Sequence, residues 1–185
     1  MLCLGLRDVA YIFTKTLSPL MAEMRRRGMR GLLYIDDMWT VGSSFEQCLY
    51  WETQVKDLFA EAGWVFKPGK RSGDPSQLCR FLGLLLDSRD LTFNIPEDKL
   101  IQIEARAKEI LRRKFNKVRI LAGFVGFLQS VRRATGPIVS VMTRSLYFVI
   151  NNAKRWDNFV RLDDLAKKEV AWGLSNIRLM SKVSH

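Results

Sequence analysis

The sequence predicts an α+β chain, in which an antiparallel sheet with covering helices is followed by an all-α bundle. Three observations carry this. Residues 33–41 set apolar and β-branched side chains on both sides of two adjacent carboxylates, the pattern of a short β-hairpin with Asp36 and Asp37 at its tip. Residues 78–86 and 91–95 read as paired strands around the turn formers Asp87, Ser88, Arg89 and Asp90. From Pro96 to residue 150 the apolar periodicity is wholly helical.

Composition sets the bounds. A chain of 185 residues with 48% hydrophobic content can bury a real core as one medium domain or two small ones. Thirty basic against nineteen acidic residues leave a formal charge of +11, which points to a polyanionic partner. Nucleic acid and an anionic membrane surface compete for that role. Arg132, Arg133 and Arg144 interrupt the most apolar region, so no spanning helix is expected, and residues 1–4 are too short for the apolar core of a signal peptide. Cys3, Cys48 and Cys79 lie far apart with no paired spacing, which supports neither a disulfide framework nor a zinc site. They read as core fillers in a reducing compartment, so an intracellular location, cytoplasm or nucleus, is expected. The one histidine, His185, leaves Ser-His and Cys-His nucleophile schemes without a base.

The elements follow in order. Asp8 can cap a helix whose apolar residues Ile12, Phe13, Leu17, Leu20, Met21 and Met24 recur at helical spacing up to Gly28, with a bend at Pro19. Arg25, Arg26 and Arg27 fall in its last turn, where positive charge suits the helix dipole; phosphate contact is the competing reading. After the hairpin, Ser43 to Glu46 reads as a capping box for a helix with Cys48, Leu49, Val55, Leu58 and Phe59 inward, stopped by Gly63. Residues 64–66 read as a short strand and 67–77 as a loop. In the helical part, Leu100, Ile103, Ala107 and Ile110 mark one helix. Val118, Leu121, Ala122, Val125 and Leu128 mark a second, closed by Gly136 and Pro137, and a third runs from about Ile138 to Ile150. Asp163 and Asp164 open a last helical pattern with Leu165, Val170, Trp172 and Ile177 as its apolar residues.

The chemistry concentrates at Asp36 and Asp37. Two carboxylates about 4 Å apart at an effective dielectric of about 20 repel by about 4 kcal/mol, so a cation is the natural partner. Oxygen ligands without histidine or cysteine nearby indicate Mg²⁺ or Mn²⁺, and phosphoryl transfer follows as the first expectation. The plainer account is an Asp-Asp turn pair, and Tyr-x-Asp-Asp alone is a weak signal. Gly69 and Lys70 do not make a phosphate-binding loop: five residues rather than four separate Gly63 from Gly69, and Arg71 stands where Ser or Thr is needed.

Context strengthens the tetrapeptide. Gly5-Leu6 followed by Tyr11-Ile12-Phe13-Thr14-Lys15 resembles motif B of the reverse transcriptases, and Tyr34-Ile35-Asp36-Asp37 resembles motif C. Gly63-Trp64 with Lys70 resembles motif D, and Phe81-Leu82-Gly83 resembles motif E, the primer grip. Four motifs in the family's order over residues 5–83 are far more specific than any one. The Phe13-Thr14-Lys15 wording and residues 162–177 most resemble retrotransposons of the tyrosine-recombinase, DIRS-like class.

The resemblance implies a partial polymerase palm over residues 1–95, a helical thumb over 96–150, and over 151–185 a connection leading toward an RNase H domain. It implies that Asp36 and Asp37 bind Mg²⁺ or Mn²⁺, that Tyr34 lies under the primer terminus, and that Gly5 and Phe13 shape the nucleotide and template pocket. Lys70 would assist departing pyrophosphate. Phe81, Leu82 and Gly83 would hold the primer strand. Each has an ordinary structural alternative: a strand aromatic for Tyr34, helix packing for Phe13, a solvated loop for Lys70, and a bulged strand for Gly83. Arg112, Arg113, Lys114, Lys117 and Arg119, followed by Arg132 and Arg133, would track the duplex backbone; a solvated basic face is the default account.

The expected partners are an RNA template, a DNA primer, their hybrid and a dNTP. The family takes a further metal-binding aspartate from motif A, before motif B, and here four residues precede Gly5. Where the family often has Ala-Pro or Ala-Cys, this chain has Val9-Ala10. Asp8, Asp87 and Asp90 are not convincing substitutes. The expectation is therefore a polymerase fragment that extends primers poorly or not at all alone; whether a partner supplies the missing half is left open by the sequence. The competing reading is a noncatalytic nucleic-acid-binding or assembly fragment. A DNA-directed or telomere-type polymerase of the same palm class stays open.

Overall fold

The computed structural model describes residues 8–66 and 74–184, and the packing divides into two compact units between Ser76 and Gln77. Each unit has its own core. The boundaries expected at 95/96 and 150/151 both fall inside the second unit.

In the first unit, α1 (Val9–Arg26) leads into the hairpin β1 (Arg30–Tyr34) and β2 (Asp37–Val41), and α2 (Phe45–Glu61) covers it. Leu17, Met21 and Met24, at helical spacing on α1, meet Trp51, Val55, Leu58 and Phe59 of α2 in one apolar cluster. Each such side chain contributes about 1.5–3 kcal/mol on full burial. Cys48 and Leu49, expected inward, are only half-buried, and Trp51 takes the central place.

Helix ends in this unit correct three expectations. Asp8 stands at the N-cap of α1 without a side-chain capping bond, and the helix runs through Pro19. The capping box of α2 is displaced by one residue: Ser44 is the cap and accepts from Gln47 N, while Gln47 Oε1 accepts from Ser43 N. Residues 64–66 are not a strand. Gly63, at φ +77°, turns the chain back so that Trp64 N donates to Phe59 O, and Trp64 is used to close the helix end rather than to extend.

The second unit joins a four-stranded antiparallel sheet to helices. Strands β3 (Leu78–Phe81), β4 (Leu84–Asp87), β5 (Thr92–Asn94) and β8 (Lys182–Ser184) lie in that order. The helices are α3 (Glu97–Arg112), α4 (Val118–Ser130), α5 (Arg132–Thr135), α6 (Ile138–Val141), α7 (Arg144–Asn151) and α8 (Asp164–Asn176). A two-residue ladder pairs β6 (Asn116–Lys117) with β7 (Phe159–Val160).

Leu100, Ile103, Ala107 and Ile110 of α3 are buried as the spacing predicts, against Leu121, Phe124, Val125 and Leu128 of α4 and Ala166 and Val170 of α8. Leu84 and Ile95 join the same cluster, so sheet and helices share one core. Phe124 replaces Ala122, which is half-buried.

The third expected helix is split at Met142–Thr143. Thr143 leaves helical geometry at φ −133° and ψ 9°, and its buried hydroxyl donates to Val139 O and accepts from Gln129 Nε2, which substitutes side-chain bonds for the continuing helix. Residues 182–184 form the edge strand β8, which the sequence did not suggest. Among the described residues, no helix is long and apolar enough to cross a membrane.

Candidate functional site

The acidic tip sits where the sequence puts it. Tyr34 pairs with Asp37 as the last rung of β1 and β2, which leaves Ile35 and Asp36 as a two-residue loop. Ile35 alone takes a positive φ, +54°, at the first loop position, as a type II′ turn requires. For a β-branched residue this conformation costs on the order of 1–3 kcal/mol. Packing elsewhere holds it: Leu33 and Met38, paired across the hairpin, pack on the apolar cluster below. Gly31 allows the strands to approach, since a Cβ there would lie 2.6 Å from Trp39 O. The alternation of β1 then leaves Tyr34, 55% exposed, on the open face, with Asp36 and Asp37 exposed at the end.

These donors fit a hard divalent cation in kind. Both are carboxylates, and Mg²⁺ is commonly held by one or two carboxylates completed by waters and substrate phosphates. In number they are a partial set: among the described residues no group of three or more His, Cys, Asp or Glu side chains could hold a metal.

Phe13, expected in the nucleotide and template pocket, stacks edge-on against Trp64 with ring centroids 5.5 Å apart and is half-buried against the first core. Gly5 and Lys70, the other motif B and motif D residues, lie outside the described residues, as does Cys3.

Phe81, Leu82 and Gly83 are not part of one strand over 78–86. Phe81 pairs with Leu84, and the two residues between them turn the chain into a second hairpin. Leu82 at φ +49° and Gly83 at φ +76° give a type I′ turn, whose twist matches its flanking strands. Lys99 straps this turn from α3: Nζ donates to Gly83 O at 3.2 Å and would lie 2.9 Å from a Cβ on Gly83. Burial holds the Lys99 ammonium below its usual pKa, and Arg80 adds to this while Asp98 opposes it. Arg80 in turn bonds both carboxylate oxygens of Asp98 at 3.2 and 3.0 Å. Nothing in the sequence pointed to Lys99, sixteen residues from the glycine whose carbonyl it binds.

Most of the predicted basic residues are exposed, and they fall in two places. Arg112 ends α3, Arg113 pairs with Glu109, and Lys114, Lys117 and Arg119 follow along β6 into α4. Arg132 and Arg133 stand on α5. Phe159, opposite Lys117 on β7, and Trp156 just before that strand are exposed aromatics to which the sequence analysis gave no role. Basic residues flanking them, Lys154 and Arg155 before Trp156 and Arg161 after Phe159, were the available signal.

No protein-family model matches the chain, and no curated protein matches it. Among solved structures, it is similar to the foamy viral protease-reverse transcriptase in complex with double-stranded DNA, with a TM-score of 0.67 and 18% identity over 95% of this chain. The chain spans 28% of the length of that protein. It thus has an α+β fold similar to part of that reverse transcriptase, with small antiparallel sheets and helices.

Proposed function

We propose that the chain is the palm-and-thumb part of an RNA-directed DNA polymerase from a retroelement, of the DIRS-like class that its motifs resemble. One observation carries the reading: a strained two-residue turn presents Asp36 and Asp37 to solvent in a chain that shares a reverse transcriptase fold. Asp36 and Asp37 would hold Mg²⁺ or Mn²⁺, which when bound would activate the primer hydroxyl and neutralise the phosphates of a dNTP. Tyr34, on the open face beside Asp37, offers its ring to the sugar of the primer terminus. Phe81, Leu82 and Gly83 hold the primer strand at the turn that Lys99 fixes. The basic residues of α3, β6 and α5 follow the backbone of an RNA/DNA hybrid by charge, without reading sequence. Gly5, Phe13 and Lys70 keep the pocket and pyrophosphate roles that the resemblance implies.

A second reading has its own support. The described residues contribute only two carboxylates to the tip, which suits a noncatalytic nucleic-acid-binding fragment as well as a polymerase part that takes its remaining ligand from elsewhere. The two readings separate in solution. In the polymerase reading, binding of an RNA/DNA primer-template in the presence of the next dNTP tightens with Mg²⁺ and loses that gain in EDTA or in Asp36→Asn. A binding fragment keeps one affinity under all three conditions. Primer extension on an RNA template by this polypeptide alone is expected to be weak or absent, and robust synthesis would overturn that expectation.

A further inference from the structure

We propose that the β6–β7 ribbon is a stacking site for single-stranded nucleic acid, which shares the β6 cations with the proposed duplex path but adds aromatic faces that a duplex does not use. The ladder pairs Asn116 with Val160 and Lys117 with Phe159. Asn116 is buried and Val160 half-buried against the second core, so the pleat turns Lys117 and Phe159 outward. Lys117 Nζ lies 5.5 Å from the centre of the Phe159 ring, yet Phe159 remains 62% exposed. Trp156, in the turn leading into β7, is 57% exposed, and its carbonyl accepts from Arg119 N at 3.0 Å, which fixes the turn to the start of α4. Phe115, just before β6, is 49% exposed with Lys114 Nζ 5.9 Å from its ring. Three exposed aromatic rings on one short ribbon are costly in water unless something covers them.

Charge selects the occupant. Lys114, Lys117, Arg119, Lys154, Arg155 and Arg161 lie within four residues of a ring in the sequence, and Asp157 is the one acidic residue among residues 113–161. Arg119 bonds Asp157 at 3.3 Å with both side chains more than two-thirds exposed, a pair worth little and easily exchanged for a phosphate. An apolar protein surface would leave these cations without partners. A duplex offers phosphates but hides the faces of its bases. A single strand satisfies both, with bases on the rings and phosphates on the cations.

The experiment measures binding of fluorescein-labelled dT and rU oligomers, and of a blunt hairpin duplex, to the full chain by anisotropy across a salt series. Trp156→Ala with Phe159→Ala is expected to weaken single-strand binding about fivefold or more per ring, and to leave duplex binding and the salt slope unchanged because no charge is removed. Trp156→Phe keeps a stacking face and should restore most of the loss. Equal loss on single strand and duplex, or no loss on either, overturns the site. So does binding of anionic vesicles that depends on both rings while oligomer binding does not. The duplex arm stands apart, because its loss in the α3 and α5 arginine variants, with the single-strand arm intact, tests the proposed function and not this ribbon.

Discussion

Removing the carboxylate of Glu169 should loosen α7 and the helical unit with it. Glu169 lies on α8, is 9% exposed, and accepts from Ser145 N at 2.8 Å and Leu146 N at 2.9 Å. Those are two of the first-turn amides of α7, which have no acceptor within their own helix. A charged side chain from one helix therefore caps another, at the helix end where negative charge is favoured. In Glu169→Ala two charge-assisted bonds are lost and Leu146 N is left buried without an acceptor. Bonds of this kind are worth about 1.5–3 kcal/mol each, an orphaned buried N–H costs about 1–3, and relief from holding a charge out of water offsets part, so the net is about 2–4 kcal/mol. Glu169→Gln keeps one acceptor and should lose about half. At roughly 2–4 °C per kcal/mol for a chain of this size, the alanine variant melts about 5–15 °C lower. Urea titration gives the free energies, and hydrogen exchange at Ser145 and Leu146 reports the cap itself. A Glu169→Ala protein within about 0.5 kcal/mol of the parent, with both amides still protected, would refute the account.

Other expectations follow from the same geometry. Gly83→Ala forces a side chain into φ +76° and against Lys99 Nζ, which should cost about 1–3 kcal/mol in urea unfolding. Arg89 holds Asp87 at a pKa of about 2 through its side chain and its backbone N–H, and Arg26 and then Arg27 hold Glu23 at about 2. Both lie below their unfolded values, so their stabilisation is complete above pH of about 4.5 and is lost as pH falls toward about 2; Asp87→Asn should flatten part of that fall in an acid titration followed by circular dichroism. Arg112→Gln with Arg113→Gln should weaken duplex binding alike for all sequences and lower the salt slope by about one for each phosphate contact removed.

How much was legible depended on whether a residue's surroundings lay within its own element. The spacing of Leu100, Ile103, Ala107 and Ile110 on α3 is set by the helical period and needs no partner to be read. On α8 the same method followed the large apolar residues: Val170 and Ile177 are buried and Trp172 packs on the core as expected, but one position failed. Leu165, part of the same apolar pattern, is 63% exposed, while the buried stripe runs through Ala166, Glu169, Val170 and Gly173. Gly173 faces Phe124 and Leu128 of α4, which a Cβ there would meet at 3.6 and 3.7 Å, ordinary contact, and Glu169 is inside because α7 needs acceptors. Small and acidic residues carry no hydrophobic signal, so only the neighbours identify them as interior. The acidic tip was legible for the opposite reason. Its strands announce themselves by residue type, and the two aspartates by their adjacency.

The turns themselves break the local rules. Ile35, Leu82 and Leu91 are apolar residues at φ +54°, +49° and +52°, where glycine or asparagine is expected, and all are at least 40% exposed. An aliphatic side chain in that conformation is strained, and leaving it in water wastes its apolar surface. Two of the three stand at the turns to which the resemblance assigns metal and primer, which is where locally unfavourable choices persist when the surrounding fold over-determines them. Leu91 has no such role. It closes the Asp87 turn, where Arg89 N and its guanidinium bond the carboxylate and fix the loop from within. Strain alone therefore does not mark a site in this chain. What distinguishes Ile35 is that the turn it strains carries an exposed pair of carboxylates, and what distinguishes Leu82 is that Lys99 reaches across from α3 to hold its turn. A positive φ combined with a chemical group to present or a distant side chain to fix it is the pattern that separates the two motif turns from the third.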